Sequence, residues 1–452
     1  MDIDDLEWQK DWHGGVPPRL VEEILEHGCL DVLVEAARER GDWFCAEGAV
    51  RRLCAAGEFA HAWAVIEPFT ATGWQPAVRT GADVLLRWGR VEQALELAHP
   101  PGPGPGDALT DYAEVLVGAG RVDDAIAALA PHLSERRVRQ ALVRITDGQG
   151  RDDRVLELLA PATDEFRRDP HQCRVPDLWD VLTARATVLE RSGRVDEAIS
   201  LLGADVAAGR YGPRNTVEFH VELLARHGRI EELRELATGA HGPTAVGPYI
   251  AALEDRGRAA DAEVYLRGLI DSDAYPIPYE NALMEFLIRQ GRPDEAVRAV
   301  AHTFDEPHEP NLLQATMLLL AEHGHPDKAL ELTEGRSAAF LEENERYWLR
   351  SNRWWLMGEA GRSREALAEI EALPPDEVDD REVTIAWLLA RDDRTEEAVA
   401  RLRRCPGRRA ATDLARLLVR QGRCAEAVAV IPDVSTQRAE KRRLLGKGEE
   451  GE

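Results

Sequence analysis

Glycine, leucine and alanine recur together along the chain at fixed distances from one another. A phrase of Gly-Arg, a variable residue, two mostly acidic residues, alanine and an aliphatic residue begins at Gly89, Gly120, Gly193, Gly291, Gly361 and Gly422. Looser copies begin at Gly57, Gly150, Gly228, Gly257, Gly324 and Asp393. Eleven intervals separate the first copy from the last, which gives a mean period of about 33 residues, the length of a two-helix unit.

The apolar residues of each copy lie at helical spacing around the glycine. Leucine stands four residues before the glycine in ten of the twelve copies, one turn back on the apolar face of a first helix. Alanine stands five residues after the glycine in ten copies, where a small side chain lets a second helix approach closely. The pattern therefore predicts a helix hairpin at each copy.

The polar residues of the phrase predict where the two helices of a hairpin end and begin. The glycine supplies the left-handed backbone that ends the first helix without a Cβ clash. Acidic residues such as Asp123 and Glu396 fall in the first turn of the second helix, where the helix dipole favours negative charge. Pro293 and Pro326 occupy first-turn positions at which proline loses no hydrogen bond.

A lone hairpin of this length would not be stable. It buries too few aliphatic side chains to offset the entropy of ordering its backbone. Successive hairpins must therefore cover one another's apolar faces, which predicts an all-α solenoid with a continuous core.

The spacing Gly-x-x-x-x-Ala, with a leucine one turn before the glycine, resembles the tetratricopeptide repeat from about Gly41 to Pro432. The small residue that this family has seven places before the glycine is met only by Ala82, Ala113, Ala186, Ala386 and Ala415, and the family's closing proline is mostly missing. The resemblance implies a right-handed superhelical α-solenoid of about 12 helix-turn-helix repeats. It also implies that the first helices line a concave groove.

Interruptions of the pattern predict how the chain is subdivided. The run HPPGPGPG cannot be helical, so residues 100–106 are a predicted Pro/Gly connector. Residues 41–99 before it are the first repeats, and residues 107–434 after it are a continuous array. Residues 1–40 are predicted to be an N-terminal tail with capping helices, and residues 435–452 a charged C-terminal tail. Whether the connector divides two rigid arrays stays open.

The charge of the chain changes which partners are expected. Its 452 residues carry a formal net charge of -26, which repels nucleic-acid phosphates and acidic membrane surfaces. The acidic start of the chain and the lack of eighteen consecutive apolar residues predict a soluble, cytoplasmic protein without a membrane partner. With only four lysines, the chain does not match the family's clamp for acidic peptide C-termini.

Motifs for catalysis and for metal or cofactor binding are missing from the sequence. It contains no phosphate-binding loop, no His-Glu-x-x-His and no Gly-x-Ser-x-Gly. The six cysteines form no Cys-x-x-Cys pair, and His323 and His325 are expected to be solvated turn residues. We therefore expect a protein that is not an enzyme and that binds no metal or cofactor.

Candidate binding residues stand ten and six places before the first residue of the phrase in the C-terminal half of the chain, which is Gly291, Gly324, Gly361 or Asp393, with one tryptophan thirteen places before Gly361. These candidates are Asn281, Glu285, Gln314, Trp348, Ser351, Trp355 and Trp387. Rigid indoles beside adaptable polar groups favour peptide capture in a groove. The alternative is that the tryptophans fill gaps between helices.

A cluster of arginines near the C-terminal end is a second candidate surface. It consists of Arg401, Arg403, Arg404, Arg408, Arg409 and Arg416, with Arg420 and Arg423 close by. The cluster is either a solvated or salt-bridged face, or a dock for an acidic partner or a nucleic-acid phosphate.

Three functions fit these observations. The leading interpretation is a protein-interaction scaffold or adaptor that binds a peptide, a protein or a second copy of itself in the groove. An alternative is a regulatory or neutralising partner of an enzyme or toxin, with an acidic surface suited to a basic target. A pentatricopeptide-like RNA reader is less favoured, because its reading column should be consistently polar. The column ten places before the glycine is mixed and runs Glu47, Arg79, Thr110, Gln140, Thr183, Glu218, Gly247, Asn281, Gln314, Ser351, Val383, Thr412.

Overall fold

The structure is a computed structural model, in which regular structure is helical throughout the described residues and no strand occurs among them. The described residues are 2–100, 102, 106–168, 178–207, 214–272, 277–304, 310–336, 340–341, 344, 348–378 and 380–449. Residues 101 and 103–105 of the predicted connector lie outside the described residues. The chain forms two compact units, of which the first holds residues up to 158 and from 380, and the second holds the described residues between 159 and 378. The predicted domain boundaries stay predictions.

The first unit combines helices from both ends of the chain. From the N-terminal side they are α1 (Ile3–Trp12), α2 (Pro18–Glu26), α3 (Leu30–Arg40), α4 (Trp43–Ala55), α5 (Phe59–Thr70), α6 (Gln75–Arg87), α7 (Val91–Ala98), α8 (Asp107–Gly118), α9 (Val122–Leu129), α10 (Arg136–Ile145) and the start of α11 (Asp152–Arg168). From the C-terminal side they are α24 (Arg381–Arg391), α25 (Thr395–Leu402), α26 (Arg408–Arg420), α27 (Cys424–Val430) and α28 (Val434–Glu449).

The second unit is built from helices of the central part of the chain. They are α12 (Leu178–Arg191), α13 (Val195–Ala207), α14 (Arg214–Arg226), α15 (Ile230–Thr238), α16 (Gly242–Glu254), α17 (Ala259–Ser272), α18 (Ile277–Arg289), α19 (Pro293–Val300), α20 (Pro310–Glu322), α21 (Pro326–Glu331), α22 (Arg350–Glu359) and α23 (Ser363–Ala372). Short 3-10 helices follow α9, α19 and α23 at Ala130–His132, Ala301–Thr303 and Pro375–Glu377.

The turn inside each hairpin has the geometry that the phrase predicts. At all twelve phrase positions the backbone is left-handed, with φ between 60° and 83°, and Asp393 adopts it with a φ of 60°. At Gly291 the next amide, that of Arg292, donates 2.9 Å to the carbonyl of Leu287. This bond closes a Schellman turn, so the leucine four places before the glycine also anchors the end of its helix through its backbone.

The side chains that repeat around the glycine form the core of both units. All ten phrase alanines have no exposed surface, and all ten leucines are at most 5 % exposed. In the hairpin of α16 and α17, for example, Leu253 is 1 % exposed and Ala262 is fully buried. The small residue thus lets two helices approach closely enough to bury the large one.

The first helices of successive hairpins contact one another. In the first unit α2, α4, α6, α8 and α10 contact one another in order, and α24 contacts α26. In the second unit α12, α14, α16, α18 and α20 do the same. Each unit is therefore an all-α solenoid of helix hairpins, as predicted, and presents a face built from first helices, which we call the first-helix face.

The first and last hairpins also pack on each other within the first unit. Helix α26 contacts α2 and α27 contacts α3, which repeats the pairing of first with first helix and second with second helix. We call this contact the N–C seam. No helix in the described ranges has the length and apolar character needed to cross a membrane.

Candidate ligand-binding surface

The polar groove candidates of the second unit lie at different depths. Glu285 on α18 and Ser351 on α22 are exposed, whereas Gln314 on α20 is half-buried. Asn281 on α18 is also half-buried, and its Oδ1 atom is buried without a hydrogen-bond partner among the described residues. This oxygen therefore lacks the hydrogen bond that buried polar groups ordinarily make.

The three predicted tryptophans are half-buried rather than sealed in the core. The Nε1 of Trp348 donates 2.9 Å to Oδ1 of Asn344, and its ring meets that of Phe340 edge to face. Trp387, which belongs to the first unit, has the guanidinium of Arg391 over its ring at 4.6 Å. Part of each indole surface therefore remains accessible, and the use of these residues in binding stays a prediction.

The predicted arginine cluster is largely engaged within the first unit. Arg401 pairs with Glu382 at 3.0 Å, Arg403 with Glu426 at 2.5 Å, and Arg409 with Asp380. The remaining engaged members are Arg408, which donates to the carbonyls of Trp12 and His13, and Arg416, which lies 3.6 Å from Glu23. Arg404 is exposed. These contacts favour the salt-bridged interpretation of the cluster.

A charged pocket lies on the first-helix face of the first unit, between α4, α6 and α8. Its volume is about 370 Å³. The polar side chains that line it include Glu47, Arg51, Arg79, Asp83, Asp111 and Glu114. Five of these residues stand ten or six places before a phrase glycine, and Asp111 stands nine places before Gly120. The pocket is therefore lined from the same repeat positions, ten and six places before the glycine, as the predicted groove, but in the N-terminal half of the chain.

Asp111 is the most enclosed carboxylate of this pocket, since its side chain is only 14 % exposed. Burial raises the pKa of Asp111 to about 6, although Arg79 lies 3.9 Å away and opposes the shift. The pKa of Glu47 is raised as well, because the pocket walls partly desolvate a carboxylate that is otherwise accessible. Both groups would gain from an added positive charge.

The pocket arginines are engaged by other carboxylates. Arg51 pairs with Glu22, and Arg87 lies 2.8 Å from Asp83. Arg79 lies 3.5 Å from Glu114, which Arg144 also contacts. Since these cations are shared or turned towards other acids, Glu47 and Asp111 are left as the weakly compensated groups of the pocket.

The sequence identified the column ten places before the phrase glycine, but binding residues were predicted only in the C-terminal half of the chain. Glu47 and Arg79 stand in that column, whereas Asp111 falls one position outside it and was missed. A count of ionisable residues along both columns would have found the pocket. Within the described residues, no group of three or more His, Cys, Asp or Glu side chains is arranged to hold a metal ion.

No family model and no curated protein matches the sequence. The solved structures that share low similarity with the chain include the following three. Naa15/Naa10 bound to HypK-THB is 15 % identical over 85 % of this chain and 67 % of its own, with a TM-score of 0.35. The pentatricopeptide repeat protein PPR10 from maize is 17 % identical over 88 % of this chain and 65 % of its own, with a TM-score of 0.31. Yeast Tom70 is 12 % identical over 90 % of this chain and 98 % of its own, with a TM-score of 0.31. At these values no function or partner is transferred to this chain.

Proposed function

We propose that the chain is a protein-interaction scaffold without catalytic activity, and that the charged pocket on its first-helix face accepts a basic side chain of the partner. The observation that carries this proposal is the pair Glu47 and Asp111, two partly desolvated carboxylates inside one pocket. A bound guanidinium or ammonium group would restore the ionised form that burial disfavours. The net charge of -26 would steer a basic partner towards this surface.

The first test uses acetylated tetra-arginine as the probe and acetylated tetra-citrulline as its neutral counterpart. Isothermal titration at pH 7.5 and low salt is expected to detect only the charged peptide. The double variant Glu47→Gln/Asp111→Asn should bind it at least tenfold more weakly. Lowering the pH from 7.5 to 5 should also weaken binding, because Asp111 with a pKa of about 6 becomes protonated.

A matched control separates pocket binding from general attraction to an acidic protein. The variant Glu96→Gln/Glu157→Gln loses the same two charges from exposed positions on α7 and α11. It is expected to bind the peptide like the unmodified protein. Equal losses in both double variants would contradict the pocket and leave only long-range electrostatics.

The half-buried residues predicted in the second unit are proposed to contact the same kind of partner elsewhere on its surface. For a partner captured from native extract, Trp355→Ala is expected to weaken binding while the helical circular-dichroism signal stays unchanged. Loss of that signal would instead assign Trp355 to the core. Salt-sensitive retention of pooled RNA in a gel shift would favour the RNA-reader alternative.

A further inference from the structure

The N–C seam is held by specific polar contacts as well as by helix packing. The guanidinium of Arg40 donates to the carbonyls of Val428 at 2.5 Å, Ile431 at 2.7 Å and Pro432 at 3.1 Å. The carboxyl end of α27 is thereby bound to the carboxyl end of α3. An arginine that satisfies three carbonyls at a helix end fixes the relative position of the two helices.

A second set of contacts ties α28 to the N-terminal segment. Gln437 is 3 % exposed, accepts from the amide of Gly15 at 3.2 Å and donates to its carbonyl at 3.3 Å. Arg438 pairs with Asp5 at 2.5 Å. Residues more than 400 positions apart in the chain are therefore held in fixed register across the seam.

Two cysteine side chains meet across this seam. Cys29 lies at the N-cap of α3 and is half-buried, and Cys424 is the first residue of α27 and is 2 % exposed. The amino ends of α3 and α27 carry Cys29 and Cys424, the two helices pack against each other, and Cys29 is close enough to the Cys424 thiol to raise its pKa. Both are free thiols in this structure. Because α3 and α27 pack against each other, the two sulfurs are brought together by the fold and not by local sequence.

We propose that Cys29 and Cys424 are a redox modification site, at which a low-molecular-weight disulfide such as oxidised glutathione converts the two thiols into an intramolecular disulfide. The new bond would join the first hairpin of the chain covalently to the last. The contacts of the seam hold the two helices that carry the sulfurs beside each other before the reaction begins.

The reaction proceeds by two exchanges that balance. The Cys29 thiol loses its proton to solvent, and the thiolate attacks one sulfur of the small disulfide and expels one small thiolate. The Cys424 thiol then loses its proton, attacks the Cys29 sulfur and expels the second small thiolate. The protein loses two electrons and two protons, and one small disulfide becomes two small thiols.

The order of the two exchanges follows from the exposure of the sulfurs. Cys29 is accessible to a small disulfide, whereas Cys424 is covered. Burial and the contact with Cys29 also raise the pKa of the Cys424 thiol to about 12, so it ionises poorly at neutral pH. Cys424 therefore acts as the resolving thiol, in a slower second step.

The test treats the full chain with oxidised glutathione and maps its peptides without reduction. The expected result is a linked pair of peptides that contain Cys29 and Cys424, together with a band that migrates faster on a non-reducing gel and disappears with dithiothreitol. Cys29→Ser should abolish both signals. Cys424→Ala should instead accumulate glutathione on Cys29, and Cys45→Ser and Cys405→Ser serve as controls that keep the linkage.

Other products would overturn the proposal. A stable glutathione adduct on Cys29 in the unmodified chain would mean that Cys424 does not resolve it. A dimer linked through Cys29 would mean that the sulfurs react between molecules instead. Should Cys424→Ala fail to fold, the unmodified chain and Cys29→Ser still decide the outcome, because the linked peptide is required in the first and forbidden in the second.

Discussion

At the scale of single residues, the charged pocket holds carboxylates in a setting that disfavours their charge. The side chain of Asp111 is enclosed between α6 and α8, and its nearest cation, Arg79, is shared with Glu114. A group in that position costs folding free energy when it is ionised. Such a cost is typical of residues that are kept for binding rather than for stability.

Replacement of Asp111 by asparagine is expected to stabilise the protein at pH 7.5 by about 1 kcal/mol, since solvent at the pocket mouth screens part of the effect. The folded-state pKa, about 6, is higher than the ordinary 3.8, so the carboxyl destabilises the fold increasingly as pH rises from about 4 to 6. Urea unfolding at pH 7.5 should show the gain, and unfolding at pH 4 should show almost none. An equal gain at both pH values would mean that packing, not charge, is responsible.

The residues of the phrase were predictable from the sequence, and those of the pocket only in part. Leu253 and Ala262 recur with the period of the fold, so their burial could be read from spacing. The ionisable residues of the pocket vary from copy to copy, because neighbouring hairpins supply different side chains to the same surface. The shift in the pKa of Asp111 depends on three helices and has no counterpart in the sequence of any one of them.

At the scale of helices, the arginine after the phrase glycine links one hairpin to the next. Arg292 precedes α19, pairs with Glu295 in its first turn at 2.7 Å and with Glu263 of α17 at 2.5 Å. Hydrogen bonds from Arg292 and Arg267 lower the pKa of Glu263 to about 2. The helix dipole predicted the position of the acidic residues in the phrase. The structure shows that Glu295 is also stabilised there by an ion pair with Arg292.

The turn glycine makes a testable contribution to the hairpin. Gly291→Ala is expected to cost roughly 1–2 kcal/mol, because alanine at a φ of 70° clashes with its own backbone. No atom lies within 4 Å of the added Cβ, so only backbone strain contributes. Gly268→Ala, at an open position inside α17, should stabilise by about 0.5–1 kcal/mol.

Urea unfolding of the two variants beside the unmodified protein measures both effects. Destabilisation of similar size in both would show that any added methyl group perturbs these helices. The helix boundaries at these turns could be predicted from the sequence, because the Schellman turn and the first-turn acidic residues are local features.

At the scale of the whole molecule, the N–C seam was not predictable from the repeat. Periodicity predicts that each hairpin stacks on its neighbours in sequence, and it does not indicate that α26 and α27 find α2 and α3. The predicted C-terminal tail begins at residue 435, yet Gln437 and Arg438 of that segment are bound to the N-terminal residues. Contacts between residues so far apart depend on the accumulated geometry of many hairpins.

Removal of the Arg40 guanidinium is expected to loosen the seam. Arg40→Met leaves three carbonyls without their donor and should lower the free energy of unfolding by about 2–3 kcal/mol. Arg38→Met is the matched control, because Arg38 is exposed and its one ion pair among the described residues is with its neighbour Glu39 at 3.9 Å.

Hydrogen exchange locates the effect of the Arg40 variant. Amides of α2, α3, α26 and α27 should exchange faster, while those of the second unit should not change. Faster exchange throughout the chain would argue against a local role for Arg40.

The seam also constrains the order in which the protein becomes complete during synthesis. Residues near Arg40 leave the ribosome 368 residues before those near Arg408, which at typical elongation rates is roughly 20 to 70 seconds. During that interval the face of α2 that contacts α26 has no covering helix, and every hairpin of the second unit emerges before α26 does. Synthesis of the first unit therefore begins before that of the second unit and ends after it. While the first unit is incomplete, the uncovered face of α2 is where a chaperone would be of most use.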